Sequence, residues 1–194
     1  MERRCEIERS TLETRIKLKL NIDGNGNYEI KTGIPFFDHM LAQLAKHGSL
    51  DLFINAQGDL DVDFHHTVED VGIVLGQAFK KALGEGVGIQ RFGSALIPMD
   101  DALSRVVVDI SGRPYLYTDL PFSNERVGNF PTELIEEFLR AFSVHGQLTL
   151  HAELLHGRNT HHQVEAVFKA LGQSLKMAVQ KSGLEQIPST KGVL

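Results

Sequence analysis

The stretch FHHTVED at residues 64–70 sets two adjacent histidines three and four positions ahead of a glutamate, and THHQVEA at 160–166 does so again. The match extends in both directions. Downstream, VLGQAFKKAL (74–83) aligns with ALGQSLKMAV (170–179) at the same shift of 96. Upstream, KHGSLDL (46–52) aligns with VHGQLTL (144–150) at a shift of 98, and IKLKLNIDG (16–24) with LSRVVVDISG (103–112) at 88, the difference being taken up near SNERVGNF (123–130). The chain therefore reads as two copies of one unit meeting near Gly88: a first over 1–88, a second over 89–185, then a C-terminal tail over 186–194. Two units are too few for a solenoid, so one compact pseudo-twofold domain is expected.

Within a unit, Ile16, Leu18, Leu20 and Ile22 alternate, break at DGNGN and resume at YEI, which predicts a hairpin. A helix follows in IPFFDHMLAQLAKHG, with Pro35 at its start and Gly48 just past its end. LDLFIN and DLDVDF read as a second strand pair, because Leu60, Val62 and Phe64 alternate with acids. After the histidines, Val68, Val71, Leu75, Ala78, Phe79 and Ala82 recur at the helical period. The prediction is an α+β fold of internally duplicated β-β-α-β-β-α-like units, with mostly antiparallel sheets and helices on one face.

Composition narrows the function classes. Of 194 residues, 42% are hydrophobic and 23% charged, and no apolar run approaches the ~20 residues of a membrane helix, so no membrane partner is expected. A formal net charge of -5 without a basic block excludes the footprint of a nucleic-acid binder. Cys5 is the only cysteine, which excludes an internal disulfide, and MERRCEIERSTLE has no apolar leader core, so the chain reads as cytoplasmic.

If a helix begins near His65, then His65 and Glu69 share a face while His66 is turned by about 100°. One helix end can thus serve two ions, and His161, Glu165 and His162 repeat the arrangement. Imidazole and carboxylate donors without thiolate suit Mn, Fe, Zn, Co or Ni. Helix capping alone would not require both clusters to stay identical while Thr67 becomes Gln163 and Asp70 becomes Ala166. The glycines of NIDGNGN open no helix, so they mark a turn and not a phosphate loop.

With RSTLET near the start, GIPFFDHML (33–41), DFHHTVEDVGI (63–73), SGRPYL (111–116), NTHHQVEA (159–166) and IPSTKGVL (187–194), the sequence resembles the imidazoleglycerol-phosphate dehydratase family over nearly its whole length. The resemblance implies a metal-dependent hydro-lyase of histidine biosynthesis that converts imidazole glycerol phosphate to imidazole acetol phosphate through a metal-bound imidazolate. It implies two Mn2+ per active site, other divalent metals being possible, and a ribosomal protein S5 domain 2-like fold. The implied assembly is a homo-oligomer, an octahedral 24-mer cage of trimers with sites between subunits. By position, His39, His65, His66, Glu69, His161, His162 and Glu165 would be ligands. Several members of the family have a histidine where this chain has Glu137, the repeat partner of His39, which leaves three alternatives: Glu137 binds as a carboxylate, His145 or His151 takes over, or one ion is held more loosely.

The implied proton shuttle is Glu13, whose repeat partner is Asp101; by itself Glu13 reads as a surface acid. The implied phosphate ligands are Arg91, Arg113, Lys169, Ser189 and Lys191, with the tail ordered by substrate. Lys169 has support in the spacing, four residues after Glu165 and seven after His162. Two rivals stand beside this reading. A di-metal hydrolase would favour bridging carboxylates, whereas imidazoles outnumber acids here; a metal-storing or structural module would leave Glu13, Arg113, Lys169 and Lys191 without roles.

Overall fold

A computed structural model describes residues 3–194. The first unit runs β1 (Arg4–Ser10), β2 (Thr14–Asn21), β3 (Tyr28–Lys31), α1 (Pro35–Gly48), β4 (Asp51–Gly58) and α2 (His65–Leu83). The second runs β5 (Phe92–Met99), β6 (Ala102–Asp109), β7 (Tyr115–Asp119), a two-residue ribbon of β8 (Arg126–Val127) and β9 (Phe130–Pro131), α3 (Leu134–Gly146), β10 (Thr149–His156) and α4 (Thr160–Val179). Each unit builds a four-stranded mixed sheet, ordered β1-β2-β4-β3 and β5-β6-β10-β7. The class is α+β, as the sequence predicts.

The order inside the unit differs from the prediction: it is β-β-β-α-β-α. The strand β1 escapes a periodicity reading because RCEIERS is a half-covered edge whose charged residues carry most of the alternation. Nor are β2 and β3 a hairpin. The strand β4 lies between them, antiparallel to β2 and parallel to β3, so the DGNGN loop crosses the end of β4. The Asp51 carboxylate organises that crossing by accepting from the N–H groups of Asn25 and Asn27 at 2.9 and 3.0 Å. Gly24 is needed there, because a Cβ would stand 2.4 Å from the Asp51 nitrogen.

DLDVDF is no strand. After β4 the chain turns, with Val62 N–H donating to the Asp59 carbonyl at 2.8 Å, and the Asp63 carboxylate accepts from His65 N–H at 2.7 Å. The alternating acids therefore serve a turn and a helix start. Gly48 is also not the cap: Ser49 takes the left-handed position, at φ 53°. Gly48 is small for a different reason, which concerns the helix packing.

Alternation in β2 buries Ile16, Leu18 and Leu20 and leaves Lys17 and Lys19 exposed, so one face of the sheet is available for helices. The helices pair across the units, α1 against α4 and α2 against α3. Both pairs close on glycine. A Cβ at Gly172 would meet Gly48 N at 2.8 Å and Leu44 O at 2.7 Å; one at Gly76 would meet Gly146 N at 2.7 Å and Phe142 O at 2.8 Å. Around these crossings a single apolar cluster joins both units, with Phe37, Phe79, Phe138, Phe142 and Phe168 fully buried. No described helix is long and apolar enough to cross a membrane.

Alanine at Gly76 or Gly172 adds about 1 kcal/mol of helix propensity but overpacks a backbone contact. Net destabilisation of about 1–2 kcal/mol is expected from the overpacking penalty, seen as a lower thermal midpoint in calorimetry. A rise in the midpoint would show that the helices separate freely.

Candidate active site

The start of α4 is fixed by its cap: the Asn159 side chain accepts from the N–H groups of His161 and His162. His161 then faces Glu165 one turn on, its Nε2 lying 3.2 Å from Glu165 Oε2. From the other unit, α1 brings His39 Nε2 to 3.1 Å from the same oxygen. Among the described residues, His39, His161 and Glu165 form the one group of three metal-type donors whose atoms all lie within 4.8 Å of one another. An ion with bonds of about 2.1 Å sets neighbouring octahedral donors about 3 Å apart, so the spacing of these atoms fits a divalent cation.

Glu165 is buried, 5% exposed, and its second oxygen accepts from Lys169 Nζ at 2.6 Å. Burial pushes its carboxyl up; the Lys169 ammonium and the His39 ring outweigh that and hold it below the ordinary value. Lys169 Nζ also lies 3.2 Å from Met99 Sδ. The same cation adds to burial in holding the His47 ring below the usual imidazole value.

The second histidine of each pair is held differently. His162 Nδ1 lies 2.6 Å from Asp101 Oδ1, and His66 Nδ1 lies 2.9 Å from Asp59 Oδ2. The His162 ring, with the backbone N–H groups of Asn159 and Arg158, keeps the Asp101 carboxyl far below the carboxylate range. Asp59 raises the His66 ring above its usual value. Glu13 stands near the other side of that ring, its Oε1 3.6 Å from His66 Nε2.

The repeat equivalent of His39, His161 and Glu165 is Glu137 of the second unit with His65 and Glu69 of the first, and it does not close to the same spacing. Glu137 is half-buried on α3, lining a cleft of about 510 Å³ with Phe122, Asn124 and Glu133. The other two histidines raised for this position lie elsewhere. His145 is in the last turn of α3 beside Gly76, and His151 sits on the outer sheet face between Tyr115 and Tyr117, at ring separations of 5.9 and 5.5 Å.

The cationic residues divide. Arg91 pairs with Asp109 at 2.7 Å and donates to the Pro188 carbonyl at 2.9 Å, which ties the tail to the head of β5. The Arg113 turn is closed by Ser111 Oγ, Ser189 Oγ accepts from Lys191 N–H, and the backbone of Leu194 rests on Gly112. Arg91, Arg113, Ser189 and Lys191 thus belong to one end of the second sheet, while Lys169 stands by Met99 at the other end of β5. Eight strand residues put roughly 25 Å between those ends.

Several supporting residues carry no sequence signal. Phe36 packs edge-on against His161 at 5.2 Å and against Phe130 at 5.4 Å. Phe130 comes from the segment that interrupts the repeat, and that segment also holds α4: Ser123 N–H donates to Gln163 Oε1 and Asn124 Nδ2 to Thr160 Oγ1, both at 2.9 Å. The insertion is therefore a brace for the His161 ring. It also explains why Thr67 is Gln163 in the second unit. Phe36 has partners distant in sequence, and Asp59 meets His66 seven residues on through a turn that the alternation of DLDVDF disguises as a strand, so no local pattern marks either.

A duplicated α+β scaffold with histidine–carboxylate clusters at its helix starts defines the class as a metal-site protein built from two interlocked copies. Comparison with known proteins makes this specific: the family model for imidazoleglycerol-phosphate dehydratase matches residues 32–175, and the chain belongs to that family. The imidazoleglycerol-phosphate dehydratase of Thermoanaerobacter pseudethanolicus is 62% identical over 193 residues, covering 99% of this chain and 100% of that protein. The Azotobacter vinelandii protein of the same name is 55% identical over 195 residues, 100% of this chain and 99% of its own. The crystal structure of the Staphylococcus aureus N315 enzyme matches with a TM-score of 0.84 at 42% identity, over 92% of this chain and 99% of that one. That of Pyrococcus furiosus, in complex with (S)-C348, matches at 0.85 and 41%, over 97% and 100%. Membership makes the chain a hydro-lyase that dehydrates imidazole glycerol phosphate in histidine biosynthesis, in a family that is metal-dependent.

Replacing Lys169 by Met leaves the Glu165 carboxylate buried with one charged hydrogen bond fewer, an expected loss of about 2 kcal/mol at pH 7. The Glu165 value is depressed in the folded protein, so its contribution is present above the ordinary 4.5 and is lost as pH falls through the folded value. Wild type and Lys169→Met should therefore converge in stability as pH falls below 4.5 and through the folded value. A denaturation series against pH reads this, and a gap that persists at low pH would assign the loss to packing.

Proposed function

We propose that the chain dehydrates imidazole glycerol phosphate to imidazole acetol phosphate with two Mn2+ per active site. The convergence of His39, His161 and Glu165 from both units carries the reading. The ligands are His39, His65, His66, Glu69, Glu137, His161, His162 and Glu165, with Glu137 contributing a carboxylate where His39 contributes an imidazole. A divalent ion bound there supplies Lewis acidity to the ring nitrogens of the substrate.

The protein's own groups do the rest. Glu13, beside His66, takes the proton from the carbon one bond beyond the ring-attached carbon and gives it to the hydroxyl leaving the ring-attached carbon, which departs as water; the enol left behind tautomerises to the ketone. Arg91, Arg113, Ser189 and Lys191 hold the phosphate as fixed donors. Lys169 secures Glu165 and reaches the phosphate from the histidine side.

The separation of roughly 25 Å along β5 keeps the tail cations and Lys169 of one chain from sharing a phosphate. This supports a site completed by a neighbouring copy, in a 24-subunit cage of trimers. Units 1–88 and 89–185 act as one domain with the 186–194 tail as a substrate strap, and the enzyme works in the cytoplasm, where its one thiol, Cys5, stays reduced.

Chelated protein is expected to lose turnover and regain it when manganese is restored, by assay of the keto product. Glu13→Gln should lose about 10²–10⁴-fold in turnover with metal content unchanged. Turnover that survives exhaustive chelation would overturn the metal-dependent reading.

A further inference from the structure

The two units solve one problem with different residues. In each histidine pair the second ring is held at Nδ1 by an aspartate, His66 by Asp59 at 2.9 Å and His162 by Asp101 at 2.6 Å. These two aspartates are not repeat counterparts. Asp101 occupies the repeat position of Glu13, at the shift of 88 that superposes β2 on β6. The counterpart of Asp59, at the shift of 98 that superposes β4 on β10, is Gly157.

Space explains the difference. A Cβ at Gly157 would stand 2.8 Å from Gln163 Cγ and 2.9 Å from Ala102 Cβ, so the end of β10 has no room for a side chain. The acid in the turn before β6, Asp101, therefore takes the ring, and the N–H groups of Arg158 and Asn159 fix its carboxylate at 2.6 and 3.0 Å. In the first unit the end of β4 carries Asp59, whose N–H donates to the Glu13 carbonyl at 3.1 Å. One carboxylate oxygen of Asp59 reaches His66 while the other, Oδ1, is buried without a hydrogen-bond partner. An orphaned buried acceptor opposes stability, which marks a group kept in place for function.

A ligating histidine donates its second ring N–H to a carboxylate, which fixes both tautomer and ring plane and aims the free nitrogen. We infer that Asp59 is a positioning residue that orients His66 with Nε2 outward and, by taking the duty Asp101 performs in the other unit, leaves Glu13 free to move protons. The inference rests on the metal reading above. It also accounts for the repeat asymmetry at Glu13 and Asp101: two acids at one position of the unit, one engaged with Nδ1 of its histidine and the other 3.6 Å from Nε2.

The test compares Asp59→Ala, Asp59→Asn and Asp101→Ala with wild type, reading Mn2+ affinity from the free-ion signal in electron paramagnetic resonance and kcat at saturating manganese. Asp59→Ala and Asp101→Ala should each weaken Mn2+ binding about 10–100-fold. Asp59→Asn keeps an acceptor for the ring N–H and should stay within a few fold of wild type. Saturating manganese should restore kcat in Asp101→Ala and not in Asp59→Ala, where Glu13 is drawn into pairing with the loosened ring. Unchanged Mn2+ affinity in Asp59→Ala, whatever its thermal midpoint, would overturn the positioning role. Equal recovery of kcat in both alanine variants would overturn the release of Glu13. Wild-type protein that binds no Mn2+ would instead bring down the metal reading itself.

Discussion

The backbone-to-backbone approach of α1 to α4 and of α2 to α3, each closed on a glycine pair, is the constraint on which the rest depends. Each sheet is covered by a helix of its own unit, α2 on β1 and β2 and α4 on β5 and β6, but every helix finds its helix partner in the other unit. Gly48 with Gly172, and Gly76 with Gly146, let the axes come close enough for the phenylalanines around them to interlock. The pairing also sets the register between helices. That register puts His39, one turn inside α1, against Glu165, one turn inside α4.

A carboxylate buried at a unit boundary with two imidazoles and one ammonium is costly to assemble. Lys169 keeps Glu165 ionised while the imidazoles keep its other oxygen pointed outward. The insertion that interrupts the second repeat adds stiffness on the far side, through Phe130 and Phe36. A departure from symmetry thus strengthens one cluster.

Asymmetry also replaces one polar lock by an apolar one. In the first unit Thr14 Oγ1 donates to buried Asp70, which also pairs with Arg9 at 2.7 Å. The repeat counterparts of Thr14 and Asp70 are Ala102 and Ala166. The polar version lies directly beside Glu13 and ties the start of β2 to α2. The unit that carries the free acid is the one whose backbone is pinned at that point.

The sequence by itself determined the duplication, the α+β class, the helix starts at the paired histidines and the helical face shared by His161, Glu165 and Lys169, because each is a matter of spacing along one element. Family likeness, not spacing, singled out Glu13, Arg91, Arg113, Ser189 and Lys191, since an acid on an exposed turn or a basic residue on a surface has no local signature. Only the tertiary structure decided that β4 divides β2 from β3, that DLDVDF is a turn whose aspartates serve His65 and His66, and that Gly48 is a packing residue and not a cap. It alone decided that His39 meets Glu165 and that Arg91 and Lys169 lie at opposite ends of one strand. Apart from the local turn of DLDVDF, these are contacts between segments tens of residues apart, fixed by which faces can be buried together, and no periodicity within one segment encodes them.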